Sequence, residues 1–117
     1  MKKIPNPYIG RWRIVEMETW DMDFIDLVGE GHITFKKKNR GELQFGAVDC
    51  ELDCRIEKLG DHERIDFSFA GFDEGDEVSG RGWAVLQDDR LRGKIYFHDG
   101  DESGFVAERS RGPRRRS

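Results

Sequence analysis

The 117-residue chain carries 20 Lys and Arg against 24 Asp and Glu, a formal net charge of -4, with 38% charged and 36% hydrophobic residues. That length holds one domain and leaves no room for a second, and the sequence pI of about 5.4 argues against nucleic acid as the main partner. Met1 to Pro7 contain two lysines and no apolar run, so neither a secretory signal nor a membrane span is expected and the expected compartment is the cytoplasm.

Residues 9–18 alternate as a strand, with Trp12 and Ile14 on one face and Arg11 and Arg13 on the other. Beyond Ile14 the phase changes, because Val15 and Met17 are apolar while Glu16 and Glu18 are not. A β-bulge or bend is expected there, and either orientation of Glu16 is open. Residues 20–28 switch to helical spacing, with Trp20, Phe24, Leu27 and Val28 at i, i+4, i+7 and i+8. Asp21 and Asp23 suit the first turn and Gly29 the C-cap. Such a short helix is expected to plug one end of a barrel, with a moving lid as the second reading.

From Gly31 onward, strand patterns cover 31–37, 42–48, 50–58, 63–70, 79–87, 90–98 and 103–109, separated by turn-forming residues such as Lys38-Asn39-Arg40-Gly41, Leu59-Gly60-Asp61-His62 and Asp88-Asp89. The clearest alternation sets Cys50, Leu52, Cys54 and Ile56 against Glu51, Asp53, Arg55 and Glu57. Leu43, Phe45 and Ala47 mark another inward face, as do Ile65, Phe67 and Phe69, then Leu91, Ile95 and Phe97, then Phe105, Ala107 and Arg109. On strand 79–87 the apolar Trp83 and Val85 select an inward parity that also carries Ser79 and Arg81. Cys50 and Cys54 stand about 13 Å apart along one strand, beyond disulfide reach, and are expected to be reduced and buried. Eight strands in up-and-down order, with one short helix between strands 1 and 2, predict an all-β closed antiparallel barrel over residues 1–110. Residues 111–117, with Pro113 and four arginines, are expected to form a disordered tail.

Gly10-Arg11-Trp12 at the start of strand 1, the helix-bearing connection to strand 2 and Arg109 at the end of the last strand resemble the calycin superfamily of lipocalins, fatty-acid-binding proteins and avidins. The resemblance implies that Trp12 closes the barrel base beneath Arg109, with Gly10 at the entry to the strand. The ligand-binding residues of avidins and fatty-acid-binding proteins have no counterpart here, so the resemblance carries the fold and no ligand. The chain is also similar to an uncharacterised group of small bacterial proteins, which brings no function with it.

Alternating strand direction sorts the loops into two ends. The end opposite Trp12 collects Asp21, Asp23, Asp26, Asp49, Asp73-Glu74-Gly75-Asp76-Glu77 and Asp99-Gly100-Asp101-Glu102, and the Trp12 end collects Lys36, Lys37, Lys38, Arg40, Lys58 and Arg90. Carboxylates around glycine turns suit a divalent cation, yet neither acidic loop has the spaced ligand set of an EF-hand. Solvated acidic turns are the preferred reading, with a divalent-cation site as the second, and no metal or other cofactor is expected. By parity, Arg81, Trp83, Trp20, Glu16, Asp99 and Ser103 converge at the acidic mouth as a candidate ligand-binding set, with Arg81 for an anionic head group and the two tryptophans as apolar walls. An Arg81 ion pair with Glu16 or Asp99 is the competing reading. Inward aromatics fill the lower barrel, so the pocket is expected to be shallow. His32, His62 and His98 form no nucleophile, base and orienter set, and no enzyme activity is expected. The functional expectation is a small-molecule binder, with docking of a partner through the acidic mouth or the basic base as the alternative.

Overall fold

The computed structural model describes residues 4–110, so the expected tail over 111–117 lies outside the described residues. The strands are β1 (Gly10–Met17), β2 (His32–Lys36), β3 (Arg40–Phe45), β4 (Val48–Leu59), β5 (His62–Asp73), β6 (Asp76–Gln87), β7 (Arg90–Phe97) and β8 (Glu102–Arg109), with one helix, α1 (Met22–Ile25), between β1 and β2. Each strand pairs antiparallel with the next, and β8 returns to β1 to close an eight-stranded up-and-down barrel.

Local chemistry explains this path. β4 and β5 are joined through Gly60, whose φ of +66° suits a tight turn, and their register runs without interruption from Leu59↔His62 to Val48↔Asp73. Glu74-Gly75 and Asp88-Asp89 each place two successive residues at positive φ, the conformation that matches a two-residue turn to the twist of its strands. In β1 the pairing with β8 shifts between Ile14 and Glu16. The bulge turns Met17 inward and leaves Glu16 exposed on the outer surface.

The barrel base is a built plug. Trp12 is 2% exposed, its indole Nε1 donates to the Tyr8 carbonyl at 3.0 Å, and the Arg109 guanidinium lies 4.0 Å from the ring centroid. Arg109 also donates to the carbonyls of Ile9 and Pro7. Gly10 is required here, because its φ is +125° and a Cβ would stand 2.8 Å from Arg109 Nη1. Ile4 and Tyr8, which the strand pattern alone does not single out, are buried in the same plug.

Three expectations are corrected. At the middle of β6 the inward positions are Gly80, Gly82 and Ala84, paired with Phe69, Phe67 and Ile65 of β5 and flanked by Val78 and Leu86, so Arg81 and Trp83 face outward. The phenylalanine rings occupy the space that side chains on these glycines would need: a Cβ at Gly80 or Gly82 would meet Phe69 Cζ at 2.6 Å or Phe67 Cζ at 2.7 Å. The helix has only four residues, with Asp26 rather than Gly29 at its C-cap, so the i+7 and i+8 positions fall beyond it. Leu27 and Val28 are consequently 64% and 75% exposed, and Ile25 takes the buried position. Ala47 lies in the turn after β3 and is half-buried, not an inward strand residue.

Candidate functional site

The helix-bearing end is open. α1 is fixed to the rim at several points: Asp21 caps it by accepting from Phe24 N–H at 3.0 Å, and Ile25 is fully buried with its carbonyl accepting from Gly46 N–H at 2.8 Å. The Phe24 ring covers Gly46, where a Cβ would approach it to 2.5 Å, and Asp26 accepts from Gly31 N–H at 2.9 Å. These contacts favour the plug over the moving lid.

Beside the helix lies a cleft of about 380 Å³. Its floor is a cluster of rings, in which Trp20 stands 5.0 Å from Phe45, 5.9 Å from Phe24 and 6.2 Å from Phe97 by centroid. Phe69 and Phe97 meet edge to face at 5.2 Å below it. Trp20, Phe24 and Phe97 are each half-buried and present apolar surface to the opening. The rim carries Asp73, Glu77, Asp99 and Asp101, and neither lysine nor arginine lines the cleft. The connections at this end explain that balance, since residues 18–31, 73–79 and 97–103 contain no lysine or arginine.

Of the six expected ligand-binding residues, the structure brings Trp20 and Asp99 together in this cleft. Ser103 is completely buried nearby, where its hydroxyl accepts from Thr19 N–H at 3.1 Å and donates to the Gly104 carbonyl at 2.8 Å. Glu16 is on the outer wall opposite Val106. Arg81 and Trp83 are on the outer face of β6, opposite Tyr96 and Lys94, so Arg81 pairs with neither Glu16 nor Asp99 and instead lies over the Tyr96 ring at 5.4 Å. Phe24 and Val78 are cleft walls that the acidic-loop reading did not include.

One histidine and both cysteines lie in the barrel wall away from the cleft. His32 is 3% exposed, held by Thr34 Oγ1 at 3.0 Å and Gln44 Oε1 at 3.1 Å, and burial followed by the nearby Arg11 charge lowers its pKa. Cys50 and Cys54 are free and buried, and burial pushes their thiols up to about 11 and about 12, which disfavours the reactive thiolate. Among the described residues no three His, Cys, Asp or Glu side chains converge as a metal centre would require, and no helix is long and apolar enough to cross a membrane. The opposite end is more mixed than its lysines suggest, because Asp61, Asp88 and Asp89 sit in its turns.

No family model matches the chain, and neither a curated protein nor a solved structure matches it. The fold is the eight-stranded closed barrel described above.

Proposed function

We propose that this protein binds a small organic cation with an apolar body, such as a hydrophobic amine or quaternary ammonium, in the aromatic cleft at the acidic mouth. One observation carries the reading: half-buried Trp20, Phe24 and Phe97 form walls beneath a rim of four carboxylates with no lysine or arginine, where His98 Nε2 stands 3.3 Å from Asp99 Oδ2. Aromatic faces attract a cation through their quadrupoles, and the carboxylates add long-range attraction that focuses at a low-dielectric opening. The cleft volume lies within the usual range for small-molecule sites. With Arg81 on the outer wall, the cleft offers an anionic head group neither lysine nor arginine, only His98, which Asp99 already engages. The Trp12–Arg109 pair supports a calycin-like barrel, and two free buried thiols suit a reducing compartment such as the cytoplasm.

The test is a fluorescence titration with benzyltrimethylammonium, its uncharged isostere neopentylbenzene, and benzoate. The cation is expected to quench tryptophan emission saturably, Trp20→Leu to abolish the response and Asp99→Asn to weaken it. Equal response to the uncharged isostere, or no response to millimolar cation, overturns the proposal.

A further inference from the structure

The outer wall of β5, β6 and β7 differs from the rest of the barrel surface. Register sets Asp66, Trp83 and Lys94 in one row across the three strands and Ser68, Arg81 and Tyr96 in the next. Trp83 and Tyr96 are therefore diagonal neighbours, roughly 7–8 Å apart, and both are half-buried. Arg64 lies over Trp83 and Arg81 over Tyr96, each guanidinium 5.4 Å from its ring centroid. Arg55 approaches from β4, and Arg92 follows Lys94 on the outward parity of β7.

Charge pairing on this wall is incomplete. Elsewhere on the barrel Arg11, Arg13, Lys36 and Arg90 meet carboxylates, whereas Arg40 and Lys58 make no ion pair with any described residue. Here Arg64 pairs with Asp66 at 2.7 Å and Lys94 reaches Glu102 only at 3.8 Å, while Arg55, Arg81 and Arg92 make no ion pair with any described residue. A shallow groove of about 520 Å³ runs between Arg55, Arg64, Arg81, Trp83 and Tyr96. A second groove shares Ser68, Arg81 and Tyr96 and ends at Asp99, so the carboxylates of the mouth limit the footprint to a few units of any polyanion.

From this juxtaposition we infer that the β5–β7 wall binds single-stranded nucleic acid, with Trp83 and Tyr96 as stacking platforms and Arg55, Arg81 and Arg92 as phosphate partners. The wall supplies both halves of such a site, cationic side chains along the backbone track and aromatic rings that accept any base. Arg81 is exposed and swings from Tyr96 to a phosphate as a base takes its place, whereas Arg64 is half-buried and bonded to Asp66, so a base reaches Trp83 by displacing it. Rings lying against a convex strand surface are reached by splayed bases and not by bases stacked inside a duplex. An acidic polypeptide has no partner for the rings. The net charge of -4 does not oppose this reading, since Asp66, the carboxylate that lines the groove, is held by Arg64, and repulsion from the acids of the mouth decays over the screening length.

The test is fluorescence anisotropy of the full-length protein with a labelled single-stranded 10-mer, the same sequence as a duplex, and poly-glutamate. Single-strand binding at micromolar protein is expected, with a log–log salt slope of about -2 for three phosphate contacts, roughly a 20-fold loss between 50 and 200 mM salt. Tyr96→Leu and Trp83→Leu should each weaken binding by about 5-fold or more, Trp83→Phe should retain most of it, and Arg81→Glu, on an exposed side chain, should weaken it without changing thermal stability. Trp20→Leu should leave it unchanged, which separates this wall from the mouth. The inference is overturned by equal binding of the duplex or poly-glutamate, by no binding at all, by indifference to Tyr96→Leu, or by a loss seen only when Arg111, Arg114, Arg115 and Arg116 are changed to Gln.

Discussion

Replacing Arg109 with alanine tests whether the barrel base is held by a specific pair or merely covered. The guanidinium stands 4.0 Å from the Trp12 ring centroid and donates at 2.7 Å to the Ile9 carbonyl, with a further bond to Pro7. A cation over an indole is worth about 0.5–2 kcal/mol, and a hydrogen bond from a charged donor about 1.5–3 kcal/mol. Arg109 is exposed, so water replaces much of the hydrogen bonding, and a net loss of about 2–3 kcal/mol is expected, near 10 °C in Tm for a chain of this size. Urea unfolding followed by tryptophan emission gives the free energy from midpoint and slope. Trp12→Leu, which removes the aromatic face, and the double variant complete a cycle, in which the indole's lost bond to Tyr8 cancels and the Arg109–Trp12 coupling remains. A coupling of about 0.5 kcal/mol or more is expected. Additive effects, or an Arg109→Ala loss below about 0.5 kcal/mol, the range of ordinary surface substitutions, would refute the pair.

Two further outcomes follow from the interior. Gly82→Ala should destabilise by about 1–3 kcal/mol through overpacking, because its Cβ would meet the Lys94 carbonyl oxygen at 2.5 Å and Phe67 Cζ at 2.7 Å; thermal melts check this, with Arg81→Ala beside it as an exposed control that should change little. His32 has a folded pKa below its unfolded value because burial disfavours the imidazolium, so the unfolded chain binds more protons and stability rises with pH in that window. The contribution is fully present above about pH 6.5 and is lost as pH falls through the folded value. Urea midpoints against pH should therefore fall less steeply for His32→Gln than for the parent below that point.

How much could be read from the residues depended on where hydrophobic contrast lay. Cys50, Leu52, Cys54 and Ile56 alternate with charges and were legible, as were the β1 phase change after Ile14 and the positive-φ turns at Gly60 and Asp88-Asp89. Trp12 under Arg109 came from a resemblance and from inward parity together, and the structure places the pair as expected. β6 misleads because its central inward positions, Gly80, Gly82 and Ala84, carry little apolar signal, whereas outward Trp83 and Val85 carry much. Volume complementarity held the missing signal, for large Phe67 and Phe69 on one strand need small partners on the next. The candidate cleft was half legible: the acidic loops and Trp20 were apparent, but a four-residue helix is too short for its periodicity to show that Phe24 lines the opening while Leu27 and Val28 leave it.

The phase of β6 also links the two proposed binding surfaces. Glycines at 80 and 82 let the Phe67 and Phe69 rings fill the barrel from the neighbouring strand, and that packing sends Arg81 and Trp83 to the outer wall. One arrangement thus removes the basic group from the mouth and adds it to an aromatic surface outside. The mouth is left with carboxylates over rings, suited to a cation, and the wall gains arginines beside rings, suited to a polyanion. Because opposite charges are held on different faces of one small barrel, net charge is a poor guide to its partners. Cation binding at the mouth and polyanion binding at the wall should therefore respond oppositely to the sign of an added charge at 81, while the buried side of β6 decides only whether the barrel folds.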